Sequence, residues 1–221
     1  MQNLNINNYN INIFQSDSPQ NNPIIYTHLT LKDANSVMKL CPNANFTLIS
    51  IDGVDWNKNM SPWYAKKVFK SDKDFSGDAD IYLNVLTNKI IPEIENVLGF
   101  IPEERGIVGY SLAGLFALYT LYKTDLFQLA ASVSGSLWYD EFINYIKTNE
   151  MQSQVKRIYL SLGVKEINTK NQRMQQVEDA TINAEQHFKK LGIYTIYEEN
   201  TGGHFTEAIE RIVKALNWLV K

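Results

Sequence analysis

The chain has few of the residues that most often announce a chemistry. Its one cysteine, Cys41, can neither close an intramolecular disulfide nor build a Cys-rich zinc site. Its three histidines, His28, His187 and His204, are too scattered for a paired-histidine metal helix, and no EF-hand loop is present. Positive charge is in slight deficit. Lys and Arg total 21 against 24 Asp and Glu, a net −3, so there is no broad basic field to attract nucleic acid. No apolar run approaches the ~20 residues of a membrane span. The N-terminus lacks a basic segment followed by an apolar one, so no secretory signal is expected. With the lone cysteine, this points to the cytoplasm. No metal, cofactor, membrane or nucleic-acid partner is expected. Any histidine-dependent chemistry must use one of three residues.

What is present reads as one α/β domain over residues 1–221. Eight of the first 22 residues are Asn, interleaved with Ile6, Ile11, Ile13 and Phe14, as in an exposed strand or hairpin. Apolar runs predict strands at Pro23–Leu29, Asn45–Ile51, Gly106–Gly109, Leu129–Val133, Val155–Leu162 and Tyr194–Tyr197. Between them, helical spacing predicts helices over Lys32–Leu40, Ala79–Leu98, Leu112–Tyr122, Glu141–Thr148, Met174–Leu191 and Phe205–Val220. Pro92 should kink or split the second of these. Residues 52–80 follow neither period, but carry Trp56, Trp63, Tyr64, Phe69 and Phe75. A loop of this length near a site is usually functional. Strands that are continuous apolar runs, alternating with helices, indicate a mostly parallel central sheet with helices on both faces. In such sheets the working groups lie beyond the carboxyl ends of the strands.

One strand end carries a pattern with a physical reason behind it. Gly109-Tyr110-Ser111-Leu112-Ala113-Gly114 lies between a predicted strand and a predicted buried helix. This approximates the G-x-S-x-G nucleophile elbow, with Ala in the fifth position. A serine on a sharp strand-to-helix turn needs small neighbours two residues away, because strand and helix pass close together. Gly109 and Ala113 meet that need. The turn lifts the Ser111 hydroxyl above the sheet and aims the helix N-terminus at a developing oxyanion.

An elbow needs an acid and then a histidine later in the chain. Gly202-Gly203-His204-Phe205 follows the last predicted strand, which selects His204. His187 falls on the polar face of a helix and should be solvated. His28 precedes the elbow. The acid should follow the strand Val155–Leu162, which selects Glu166 over Asp140, Glu178 and Asp179. In this reading Ser111 attacks a carbonyl, His204 takes and returns the proton, and Glu166 orients the imidazole. The oxyanion would be met by the Leu112 N–H and by a second N–H from Leu29 to Leu31.

These segments, with Ser-Gly-Ser-Leu-Trp at 134–138 and Leu-Ser-Leu-Gly-Val-Lys-Glu at 160–166, resemble the esterase D-like, enterochelin esterase-like branch of the α/β-hydrolase superfamily. That branch includes S-formylglutathione hydrolases, feruloyl esterases and mycolyltransferases. The resemblance runs from about Pro23 to Lys221. It implies the α/β-hydrolase fold and a triad of Ser111, Glu166 and His204. The family's Asp-Gly pair after the third strand is missing from Tyr26-Thr27-His28-Leu29-Thr30-Leu31, and alignment on the preceding strand suggests Leu31 as second oxyanion donor. The extra N-terminal domain of enterochelin esterases has no counterpart here, which argues against large siderophore substrates.

The expected activity is therefore a cofactor-independent serine esterase cleaving small-molecule carboxylic esters through an acyl-enzyme. A thioesterase or small acyltransferase would use the same triad, and a non-catalytic hydrolase-like binding protein would keep the elbow. Tyr110, Trp138 and Trp56, with Trp63, are expected to wall the pocket. The sequence leaves the ester's identity and a homo-oligomer open.

Overall fold

A computed structural model describes residues 1–221. An eight-stranded sheet runs through the molecule, formed by β1 (Gln2–Ile6), β2 (Tyr9–Phe14), β3 (Ile24–Thr27), β4 (Thr47–Asp52), β5 (Arg105–Tyr110), β6 (Leu129–Val133), β7 (Arg157–Gly163) and β8 (Tyr194–Asn200). Their order across the sheet is β1-β2-β4-β3-β5-β6-β7-β8. From β4 through β3, β5, β6 and β7 to β8 every pairing is parallel. The Asn-rich start forms the antiparallel hairpin β1–β2, whose second strand pairs antiparallel with β4. Asn7 and Asn8 take positive φ at its turn, a conformation asparagine tolerates better than most residues.

Successive side chains of each parallel strand enter opposite helix layers. Ile24, Tyr26, Ile107 and Ile158 join one buried cluster, while Ile25, Val108 and Tyr159 join the other. Both sets are largely apolar, which is why the strands read as unbroken hydrophobic runs. The first layer holds α3 (Ala79–Val85), α4 (Ile91–Leu98), α5 (Leu112–Thr120), α6 (Phe142–Thr148) and α7 (Val177–Lys190). The second holds α1 (Leu31–Leu40) and α8 (Ala208–Leu219), packed through Val37, Ile212, Leu216 and Leu219. Helix α5 is buried along its whole length, as its apolar sequence requires.

Pro92 splits its helix in a specific way. A π-helical segment at Leu86–Ile90 joins α3 to α4, and Pro92 then stands in the first turn of α4. The missing Pro N–H falls where a helix has unpaired donors, so the chain continues with a widened turn rather than a break.

The 52–80 segment is largely irregular but well anchored. It contains the four-residue α2 (Trp56–Asn59) and an isolated bridge between Ala65 and Phe75. Trp63 donates its indole N–H to the Asp140 carbonyl at 3.0 Å, and Tyr139 donates its hydroxyl to the Trp63 carbonyl. No helix is long and apolar enough to cross a membrane.

Candidate active site

Strands β5, β7 and β8 deliver three side chains to one end of the sheet. Ser111 lies between the last residue of β5 and the first of α5, with φ 57° and ψ −123°. That region is costly for a residue with a Cβ, about 1–3 kcal/mol. The close approach that forces it is measurable at Gly109, where an added Cβ would lie 2.0 Å from the Ala113 carbonyl oxygen. Gly114 is similarly crowded, 2.9 Å from the Ser132 hydroxyl and 3.1 Å from the Gly135 Cα. Ala113, in the fifth position of the G-x-S-x-G pattern, is 1% exposed and joins the core packed under the turn.

The Ser111 hydroxyl oxygen stands 3.0 Å from His204 Nε2, and His204 Nδ1 stands 2.7 Å from Glu166 Oε2. His204 follows the glycine-rich turn after β8, and Glu166 the turn after β7. The two turns are tied by their backbones, Lys165 N–H to the Gly202 carbonyl at 3.0 Å and Val164 N–H to the Asn200 carbonyl at 2.9 Å. Gly163 is required there, since its Cβ would meet the Gly202 carbonyl at 2.5 Å.

Burial pushes the Glu166 carboxyl up, but the hydrogen bonds from His204 and the Gly163 N–H outweigh it, and its pKa falls below the usual value. An ionised Glu166 places the imidazole proton on Nδ1 and leaves Nε2 free to accept from Ser111. Leu112 opens α5, so its N–H has no partner within the helix.

One residue central to this arrangement does not stand out in the sequence. Arg211 of α8 is 1% exposed. Its Nη1 donates to Glu166 Oε1 at 3.0 Å and to the Ser134 hydroxyl at 2.9 Å. Its Nη2 donates to the carbonyls of Thr201 and Gly203, at 2.7 and 3.0 Å. A single guanidinium therefore binds the acid and the turn that carries the histidine. The signal lies in the periodicity: Arg211, Ala215 and Leu219 share the inward face of α8.

The remaining expected residues separate. Tyr110 donates its hydroxyl to the His204 carbonyl, so it props the histidine turn. Trp56, Leu29, Gly109 and Tyr110 line a small cavity of ≈ 10 Å³ beside the elbow. Leu31 is the first residue of α1, is solvent-exposed and does not line that cavity. Trp138 stacks under the Arg173 guanidinium, 5.4 Å from its ring centre, two residues beyond Ser136, whose hydroxyl lies 3.4 Å from that of Ser111. Trp63 packs instead on Tyr119, Tyr139 and Tyr145.

Asp140 is taken by Arg173, while Glu178 and Asp179 sit in the first turn of α7, where their charge suits the helix dipole. His187 is not freely solvated. It is half-buried, its ring beside Phe188 and its Nε2 3.4 Å from the Tyr122 hydroxyl. His28 is fully enclosed, bonded through Nε2 to the Tyr82 hydroxyl at 2.8 Å, and burial lowers its pKa to about 3. Cys41 is buried at the end of α1. No group of three His, Cys, Asp or Glu side chains is clustered to hold a metal ion.

A model of the family described as "Putative esterase" matches residues 37–216. The chain belongs to this family. It is accordingly a carboxylic ester hydrolase of the α/β-hydrolase fold. It is similar to the uncharacterised protein YbbA of Bacillus subtilis, with 27% identity over 180 residues, covering 78% of this chain and 72% of YbbA. Among solved structures it resembles an IroE-like serine hydrolase from Shewanella oneidensis (TM-score 0.76, 14% identity, 96% of this chain and 75% of that one). It also resembles the siderophore hydrolase EstB from Aspergillus nidulans (TM-score 0.73, 16% identity, 99% and 94% covered). At these identities the two structures speak for the fold.

Proposed function

We propose that the chain hydrolyses small-molecule carboxylic esters by nucleophilic catalysis at Ser111. The observation that carries this reading is the unbroken relay from the Ser111 hydroxyl through His204 to Glu166, with separations of 3.0 and 2.7 Å. His204 Nε2 takes the serine proton as the hydroxyl oxygen attacks the ester carbonyl. Glu166 holds the imidazole in the required tautomer and stabilises its cation. The tetrahedral oxyanion is met by the Leu112 N–H at the start of α5 and by a second backbone donor. Leu29, which borders the elbow cavity, is better situated for that second role than Leu31.

Collapse expels the alcohol with the proton from Nε2 and leaves an acyl-Ser111. Water, activated by the same nitrogen, then releases the acid. Arg211 is a positioning residue: it pairs with the Glu166 carboxylate and holds the Thr201–Gly203 turn in register with it. Tyr110 donates to the His204 carbonyl just after the same turn.

The test is hydrolysis of p-nitrophenyl acetate by the purified chain. Ser111→Ala and His204→Ala should each lower turnover by more than about 10³-fold, and nearly equally, because the two groups act as a unit. Turnover retained in Ser111→Ala would overturn the assignment.

A further inference from the structure

Phe205, the residue after His204, exposes 88% of its surface. A phenyl ring so exposed gains almost nothing for the fold. It is nevertheless placed with some definition, edge-on to the His204 imidazole, with ring centres 5.0 Å apart and planes 81° apart. The neighbouring turn adds exposed apolar side chains, Val164 at 48% and Ile167 at 37% exposed, on either side of Glu166. Backbone hydrogen bonds tie these two turns together.

The chemistry decides which half of an ester would meet that ring. When the tetrahedral adduct collapses, the bond between the carbonyl carbon and the alcohol oxygen breaks. Its electron pair stays on that oxygen, which receives the proton from His204 Nε2. The leaving oxygen must therefore come within hydrogen-bonding reach of Nε2, roughly 3 Å. An alcohol held there lies beside the imidazole, whose aromatic neighbours are the exposed Phe205 at 5.0 Å and Tyr110, half-buried, at 5.5 Å. The acyl carbon stays bonded to Ser111, away from Nε2.

We propose that Phe205 is a specificity residue that receives the alcohol moiety of the substrate, and that the preferred alcohol is apolar, an aryl or longer alkyl group. This rests on Ser111 and His204 acting as nucleophile and base.

Three esters separate the two halves of the substrate: ethyl acetate, hexyl acetate and ethyl hexanoate. The first two differ only in the alcohol and have leaving groups of similar basicity. The third carries its added length on the acyl side. The wild-type chain should favour hexyl over ethyl acetate in kcat/KM. Phe205→Ser should lower that hexyl-to-ethyl ratio about tenfold, the scale of one apolar packing interaction removed from the transition state. Phe205→Leu should restore most of it. The ratio of ethyl hexanoate to ethyl acetate should stay within about twofold of wild type, which a general disturbance of the histidine turn would not produce.

An unchanged hexyl-to-ethyl ratio in Phe205→Ser, or an equal fall for ethyl hexanoate, overturns the inference. A wild-type chain that hydrolyses all three esters with no dependence on the alcohol overturns this inference alone. A wild-type chain that hydrolyses none of them and takes no serine-directed label overturns the ester-hydrolase reading and this inference with it.

Discussion

Replacing Arg211 by Met is the sharpest perturbation the structure offers outside the reacting atoms. Met keeps much of the arginine's apolar length and removes its charge and donors. Arg211 makes four hydrogen bonds, to Glu166, Ser134, Thr201 and Gly203. Both members of the ion pair are inaccessible, with 1% and 4% of their side chains exposed. Removing one partner of such a pair leaves an uncompensated buried charge, at about 3–5 kcal/mol. For a chain of this size about 1 kcal/mol moves Tm by 2–4 °C, so Tm should fall by about 6–20 °C.

Activity should change in a way that a stability loss alone would not produce. Without the guanidinium, Glu166 binds a proton more readily. The acid limb of kcat/KM should therefore move to higher pH, with kcat lowered by about 10- to 100-fold from the displaced histidine turn. Arg211→Met combined with Glu166→Gln should destabilise by less than the sum of the two single changes, because the stranded charge is gone. Thermal melts, a double-mutant cycle and pH–rate profiles read these directly. A Tm within about 2 °C of wild type, or additive single effects, would mean that Arg211 does not compensate the buried Glu166 charge.

Two further outcomes follow from other buried features. His28 has a folded pKa of about 3, while an unfolded histidine titrates near 6.5, so the unfolded chain binds the extra proton first. Stability should be flat above pH 6.5 and decline as pH falls toward 3. The loss between pH 7 and pH 5 is about 2 kcal/mol in urea melts. His28→Gln should flatten that interval, and an unaltered slope would contradict it. The positive φ of Ser111 strains any residue with a Cβ, so Ser111→Gly should be more stable than Ser111→Ala by about 1 kcal/mol. Equal melting temperatures would argue against strain at the elbow.

The fold is legible in the sequence because the sheet meets a buried apolar cluster on each face. The inner parallel strands bury both their faces, so continuous runs such as Leu129–Val133 can be read without knowing their neighbours. The elbow is legible because steric crowding at Gly109 dictates local sequence. His204 stands out because so few histidines compete and only one follows the last strand. What stays hidden depends on interactions between distant segments. Arg211 looks like a polar residue beside an apolar stripe until Glu166 and two carbonyls from another turn are brought to it. Leu31 and Leu29 differ by two residues in sequence, yet the first is exposed at the start of α1 and the second borders the elbow cavity. His187 reads as solvated because its partner, Tyr122, lies 65 positions away.

The central claim is that Ser111 is a nucleophile activated by His204. The most direct measurement is the intact mass of the chain after reaction with a fluorophosphonate, followed by peptide mapping of the adduct. One adduct per chain is expected, on Ser111, formed at least about 10³-fold more slowly in His204→Ala and absent in Ser111→Ala. No adduct on the folded wild-type chain, or an adduct on another residue, would contradict it.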